Sequence, residues 1–211
     1  MKICGLTRRE DAECAAQLGA DYLGTVIVPN SPRAVTAERA REITSGLGVP
    51  LVLVSADLTV ETLVRSAQTA GAAVLQLHGN ETPTMVRSVR EAGDWSIWKA
   101  LRVQGPDDVA RGVGAFHDVV DALVLDSWDP ERLGGTGVRF GWEQVARAHP
   151  EPRSGLAWVV AGGLSAENVA EAIRTLSPDV VDVSSGVESS VGVKDCEYVE
   201  AFIRAARGAG G

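Results

Sequence analysis

Long apolar runs are missing from this chain: nothing in its 211 residues approaches the roughly 18 to 20 that a membrane-spanning helix needs. A basic-then-apolar leader is missing too, since charged residues follow Gly5 almost at once. Together these predict a cytoplasmic protein with no membrane partner. Positive charge is in deficit, with 20 Lys and Arg against 28 Asp and Glu and a net charge of −8. That argues against a nucleic-acid partner, because phosphate backbones select basic faces. It leaves room for a small phosphorylated substrate, since a few backbone N–H groups and one arginine hold a phosphate whatever the total charge. Cysteine is scarce and odd in number: Cys4, Cys14 and Cys196, with no CxxC pair. In a chain of this length and compartment no disulfide framework is expected. His78, His117 and His149 lie far apart, so no zinc-ligand spacing appears.

What is present is a rhythm. Runs rich in Val, Ile, Leu and Trp recur at "MKIC", 21–28, 50–55, 72–77, 96–101, 121–126, 156–161 and 179–184. They are mostly continuous rather than alternating, as in parallel strands covered on both faces. Helical patterns lie between them. "TRREDAECAAQLGA" sets Thr7 and Glu10 at capping-box spacing and stops at Gly19. Thr36 and Thr59 stand as caps of the next two helices, and Pro83 and Pro106 suit first helical turns. Eight strand-then-helix units predict an α/β chain folded as one (β/α)8 TIM barrel over residues 1–211. An open doubly wound sheet has fewer such units. The small-residue end, 208–211, is expected to fray.

A barrel of this kind keeps its chemistry at the C-terminal ends of its strands. There the sequence places Cys4, Arg33 in "PNSPR", His78 in "QLHG", Asp126 followed by "GGTG" (134–137), Gly162 and Gly163 in "AGGL", and "DVSSGVE" with Asp182, Val183, Ser184 and Ser185. Glycines let main-chain N–H groups approach an anion, and Ser165 reads as a helix cap. Either loop alone is as well explained by a tight turn; at the two adjacent strand ends, phosphate binding is the better reading. A thiolate that takes a proton from carbon and a carboxylic acid that protonates a leaving oxygen form a working pair when their pKa values are tuned towards neutrality. On spacing alone, however, Cys4 is better explained as a small buried hydrophobe. Asp126, directly after "ALVL", must be solvated, paired or functional. Arg33 offers a fork for a carboxylate, or is an ordinary surface arginine; His78 is as readily structural as catalytic. Cys14 and Cys196 are assigned to core packing, and the tryptophans to the core apart from Trp128 in the loop after strand 6. Lys2 shares the parity of Cys4, so both face one side of the strand. If that side is the barrel interior, Lys2 needs a carboxylate, with Asp182 the candidate; exposure at the strand's open end is the alternative.

The segments "KICGLT", "SPR", "QLHGNE", "LDS…GGTG", "AGGLSAENV" and "VDVSSGVE…GVKD", in that order over nearly the whole chain, resemble the motif series of the phosphoribosylanthranilate isomerase family of tryptophan biosynthesis. The resemblance implies a (β/α)8 barrel without a cofactor, acting as monomer or homodimer on a small phosphorylated substrate. It implies an Amadori rearrangement of N-(5′-phosphoribosyl)anthranilate to 1-(2-carboxyphenylamino)-1-deoxyribulose 5-phosphate. Carried over by motif, Cys4 is the general base and Asp126 the general acid. Arg33 holds the anthranilate carboxylate, His78 lines the site near the ring, and Gly162, Gly163 and the stretch from Asp182 through Val183, Ser184 and Ser185 serve the phosphate end. The chain departs from the family's pattern after strand 2, where "GTVIVPNSPR" has no aromatic residue, and after strand 3, where "LVLVSADLT" stands. The chain also starts almost on strand 1, with no preceding residues to close the barrel floor. The histidine-pathway isomerase, a two-fold repeated barrel with an aspartate in place of Cys4, is the enzymatic rival, disfavoured because "PNSPR" lacks a glycine pair. A barrel that binds a phosphorylated ligand without turnover is the other.

Overall fold

The apolar runs become strands because β-branched and leucine side chains pack well on a pleated surface and because both faces of each run find apolar cover. The computed structural model describes residues 1–127, 142–147 and 155–209. In chain order its elements are β1 (Lys2–Ile3), α1 (Arg9–Gln17), β2 (Tyr22–Val26), α2 (Ala37–Thr44), β3 (Leu51–Ser55), α3 (Val60–Ala70), β4 (Val74–Leu77), α4 (Pro83–Glu91), β5 (Ser96–Val103), α5 (Pro106–Phe116), β6 (Ala122–Ser127), α6 (Trp142–Arg147), β7 (Ala157–Ala161), α7 (Val169–Leu176), β8 (Val180–Val183), β9 (Glu188–Ser190), β10 (Val193–Lys194) and α8 (Cys196–Gly208). Strands β1 to β8 close into one barrel in sequence order, and β8 returns to β1 in parallel register, Lys2 opposite Asp182 and Ile3 opposite Val183. The short β9–β10 hairpin, which the sequence pattern did not suggest, is antiparallel and stands outside the barrel.

Each strand feeds two separate apolar layers. Ile3, Leu23, Leu53, Leu75, Ile97, Leu123 and Val160 pack outward against the helices. Val52, Val54, Trp98, Val124 and Val159 point into the barrel. The interior is plugged from within: the Tyr22 and Trp98 rings meet edge to face at 5.0 Å between centroids.

Helix starts follow the expected chemistry at α2 and α3, where Thr36 and Thr59 accept hydrogen bonds from Arg39 and Thr62 N–H. Thr82 does the same for Met85, with Pro83 as first residue of α4. At α1 the capping box does not form. The Thr7 hydroxyl donates instead to the Gly192 carbonyl in the β9–β10 turn, 2.5 Å away, and the helix begins two residues later. At the other end α8 runs through Gly208; residues 210–211 lie outside the described residues.

The cysteine expectation is overturned at two positions. Cys14 and Cys196 are joined by a disulfide across 182 residues of chain, their Cα atoms 6.1 Å apart. The reason is closure: α1 and α8 are neighbours on the helical ring, so the first and last helices bring the two sulfurs together. Cys4 is the one free thiol. Denatured protein without reductant should therefore titrate one thiol, and after reduction all three. Cys14→Ser should lower stability under oxidising conditions by about 2–4 kcal/mol, the usual value of a staple closing a long loop. Equal stability of variant and parent without reductant would show that the bond does not form.

Candidate active site

Beyond the short β1 the ladder continues for one more residue: Cys4 N–H donates to the Val183 carbonyl at 2.8 Å. This sets Cys4 on the C-terminal rim with its side chain turned inward, 8% exposed. Lys2 points the same way and is fully buried. The space both need comes from β2, where a Cβ on Gly24 would fall 2.9 Å from Cys4 Sγ and 2.9 Å from Lys2 Cε. A buried ammonium requires partners. Lys2 Nζ donates to Asp182 Oδ2 at 2.7 Å and to Gln76 Oε1 at 2.9 Å, so the carboxylate indicated by strand parity is the one it meets. Asp182 thus points into the barrel below the rim, not into the loop that follows it.

Burial pushes the Cys4 thiol up; Lys2, and more weakly Lys194, pull it back without cancelling the rise. Burial acts against the Lys2 ammonium, but Asp182 and then Cys4 outweigh it, and Lys2 is held charged above its ordinary value. Asp182 is raised by burial against the pull of Lys2; the 2.7 Å contact is that of an ion pair.

From Gln76 the contacts continue across the barrel mouth. Gln76 Nε2 lies 3.3 Å from His78 Nδ1, and His78 Nε2 lies 3.0 Å from Asp126 Oδ2. His78 and Asp126 are 30% and 29% exposed and open onto the rim. A continuous row of side chains, Lys2–Gln76–His78–Asp126, therefore leads from beside Cys4 to Asp126.

Arg33 is not an idle surface arginine. Its Nε and Nη2 fork onto Glu188 at 2.7 and 2.6 Å. Glu188 also accepts from Lys194 Nζ at 2.8 Å, and Lys194 Nζ reaches the Ser184 carbonyl at 3.0 Å. Burial works against the Glu188 carboxylate, but Arg33 and Lys194 overcome it and hold it below its ordinary value; burial holds the Lys194 ammonium below its own despite Glu188. Gly5 makes this contact possible. Its φ is +72°, and a Cβ there would lie 2.5 Å from Arg33 Cδ and 2.8 Å from Ser184 Oγ, which gives "KICG" its glycine.

At the ends of β7 and β8, Gly162 and Gly163 take left-handed φ of 85° and 66°. Ser165 is not the cap of α7. Asn168 occupies that position, accepting from Ser165 N–H at 2.9 Å through Oδ1 and donating to the Gly163 carbonyl at 2.8 Å; the intervening turn delays the helix. The two loops touch backbone to backbone, since a Cβ on Gly186 would fall 2.0 Å from the Leu164 carbonyl oxygen. Gly162, Gly163, Ser184 and Ser185 thus meet at adjacent strand ends, while Val183 is buried on the helix side. "GGTG" at 134–137, Trp128 and His149 lie outside the described residues.

Sequence reasoning assigned no role to Glu188, Lys194 or Gln76, and missed the pair Lys99–Glu81. Glu81 Oε1 accepts from Asp57 and Gly79 N–H, and its Oε2 stands 3.1 Å from Lys99 Nζ, which also donates to the Gly79 carbonyl at 2.8 Å. These contacts pin the β4 end that carries His78 and account for the acid in "HGNE". Among the described residues no group of three or more His, Cys, Asp or Glu is placed to hold a metal ion.

Comparison with known proteins agrees with the barrel fold. The family model for N-(5′-phosphoribosyl)anthranilate (PRA) isomerase matches residues 1–205. The enzyme so named from Thermosynechococcus vestitus is 42% identical over 207 residues, covering 96% of this chain and 87% of that one. The crystal structure of phosphoribosyl anthranilate isomerase from Thermotoga maritima superposes with a TM-score of 0.87 at 33% identity, covering 98% of each chain. A structure of a phosphoribosyl anthranilate isomerase in complex with reduced 1-(o-carboxyphenylamino)-1-deoxyribulose 5-phosphate superposes with a TM-score of 0.82 at 32% identity, covering 98% of this chain and 97% of that one. With the barrel and the match over nearly its full length in agreement, this chain belongs to the N-(5′-phosphoribosyl)anthranilate isomerase family.

Proposed function

We propose that Cys4 is the general base and Asp126 the general acid in the family's isomerisation, an Amadori rearrangement of tryptophan biosynthesis. Asp126 gives its proton to the ribose ring oxygen, the ring opens, and an iminium forms at C1′. Cys4 then takes the proton from C2′, leaving an enolamine that tautomerises to the ketone, 1-(2-carboxyphenylamino)-1-deoxyribulose 5-phosphate. Two groups are needed because one proton is given to oxygen while another is taken from carbon. The observation that supports this assignment is that Cys4 and Asp126 share one rim, joined by the Lys2–Gln76–His78 row.

The remaining roles follow from position. Gly162, Gly163, Ser184 and Ser185 receive the phosphate where the β7 and β8 loops meet. Arg33 has five N–H donors and gives two to Glu188, which leaves three for the anthranilate carboxylate. His78 borders the aromatic ring. Among the described residues no helix is long and apolar enough to cross a membrane; a cytoplasmic location and a monomeric or homodimeric state belong to the same proposal.

Two measurements test it. Loss of substrate fluorescence should report turnover of N-(5′-phosphoribosyl)anthranilate, with none of the histidine-pathway aminoaldose; the reverse preference would reject the reading. Arg33→Ala should raise KM about tenfold or more, the scale of a lost hydrogen bond to a charged group, with a smaller change in kcat. An unchanged KM would remove Arg33 from the carboxylate site.

A further inference from the structure

Between Lys2 and Asp126 stand two groups whose orientation is ambiguous in isolation: the Gln76 amide has a donor end and an acceptor end, and the neutral His78 ring has two tautomers. Lys2 removes both ambiguities. An ammonium carries three donors and no acceptor, so the amide group 2.9 Å from Lys2 Nζ must be the Gln76 oxygen. The Gln76 NH2 is thereby turned to His78, 3.3 Å from Nδ1. Two donors cannot face each other, so Nδ1 is the acceptor and the ring hydrogen sits on Nε2. That hydrogen points at Asp126 Oδ2, 3.0 Å away. Lys2 is itself held in place by Asp182 at 2.7 Å inside the barrel, and Gln76 is 2% exposed, so solvent cannot supply a competing partner.

We infer that Lys2 and Gln76 are positioning residues that lock His78 as the Nε2–H tautomer and thereby select which oxygen of Asp126 carries the reacting proton. With Nε2–H donating to Oδ2, that oxygen is an acceptor in both charge states of the carboxyl group. The proton of the acid form must then reside on Oδ1, the oxygen left for the substrate. Once it has gone to the ribose oxygen, the same Nε2–H meets a full carboxylate and strengthens, so the interaction favours the state after transfer. In the other tautomer, His78 Nε2 would accept the acidic proton and hold it away from the sugar. The inference rests on the assignment of Asp126 as the acid.

The test uses two substitutions at Gln76 and one spectroscopic readout. Gln76→Met removes the amide at nearly constant volume and frees the tautomer. Gln76→Glu places an acceptor opposite Nδ1 and inverts it, while still pairing with Lys2. Nitrogen-15 NMR of labelled protein at a pH where the ring is neutral, with the His78 signals identified by His78→Asn, should show protonated Nε2 in the parent, a mixture in Gln76→Met and protonated Nδ1 in Gln76→Glu. In parallel kcat should fall about ten- to a hundredfold, the scale of one hydrogen bond to a charged group, more in Gln76→Glu than in Gln76→Met, with KM little moved. Loss of packing alone would lower the melting temperature without inverting the tautomer. Protonated Nδ1 in the parent, or an inverted tautomer with parental kcat, would overturn the inference. Failure of the acid assignment is read separately, as parental turnover in Asp126→Asn, which leaves the parent's tautomer measurement standing.

Discussion

Cys4→Ala and Asp126→Asn each lose turnover by about 10²–10⁴, the range for removing a positioned base or acid, while still binding a reduced product analogue as tightly as the parent. Neither substitution disturbs the β7 and β8 loops, so ground-state affinity is retained and the loss appears in kcat. Cys4→Ser should be almost as impaired as Cys4→Ala, because a hydroxyl stays protonated where a thiol ionises. Burial holds the Cys4 thiol above its ordinary value even with Lys2 beside it, so the thiolate fraction should still be growing at about pH 8, read as the rate of Cys4 alkylation by iodoacetamide; a rate already flat well below that would contradict the raised thiol. A parental rate in Cys4→Ala would remove Cys4 as the base.

How much of this was legible in the chain depends on the sequence distance between partners. The barrel was, because each strand run signals itself locally and the count of units limits the architecture; hence Cys4, Arg33, His78 and Asp126 could be placed at strand ends before any geometry was known. Lys2 with Asp182 was legible through parity, a two-residue argument that holds once the strand is assigned. Contacts between distant segments were not. Arg33 and Glu188 are 155 residues apart, Lys2 and Gln76 are 74 apart, and Cys14 and Cys196 are 182 apart; nothing local in either member identifies the other. The caps separate in the same way. Thr36 and Thr59 cap as read, whereas Thr7 is diverted by the Gly192 carbonyl, which arrives from the far end of the chain.

Asp182→Leu should lower stability by about 3–5 kcal/mol, because it leaves the Lys2 ammonium uncompensated in the barrel interior. Lys2→Met combined with Asp182→Leu should recover most of that loss, since well-packed apolar side chains of similar volume replace a buried ion pair at little or no net cost. Activity should not return with stability. In the double variant Cys4 lacks the positive charge beside it, and Gln76 lacks the donor that orients it, so kcat should stay depressed by about tenfold or more, the scale of a lost charged hydrogen bond. Urea unfolding and steady-state kinetics on the parent and the two variants decide the matter. If the double variant regains both stability and turnover, the Lys2–Asp182 pair is only filling space. If it regains stability alone, the ion pair is not what holds the barrel together: the interior would tolerate hydrocarbon there, and the charge is retained because a thiolate and a correctly turned amide require an ammonium between them.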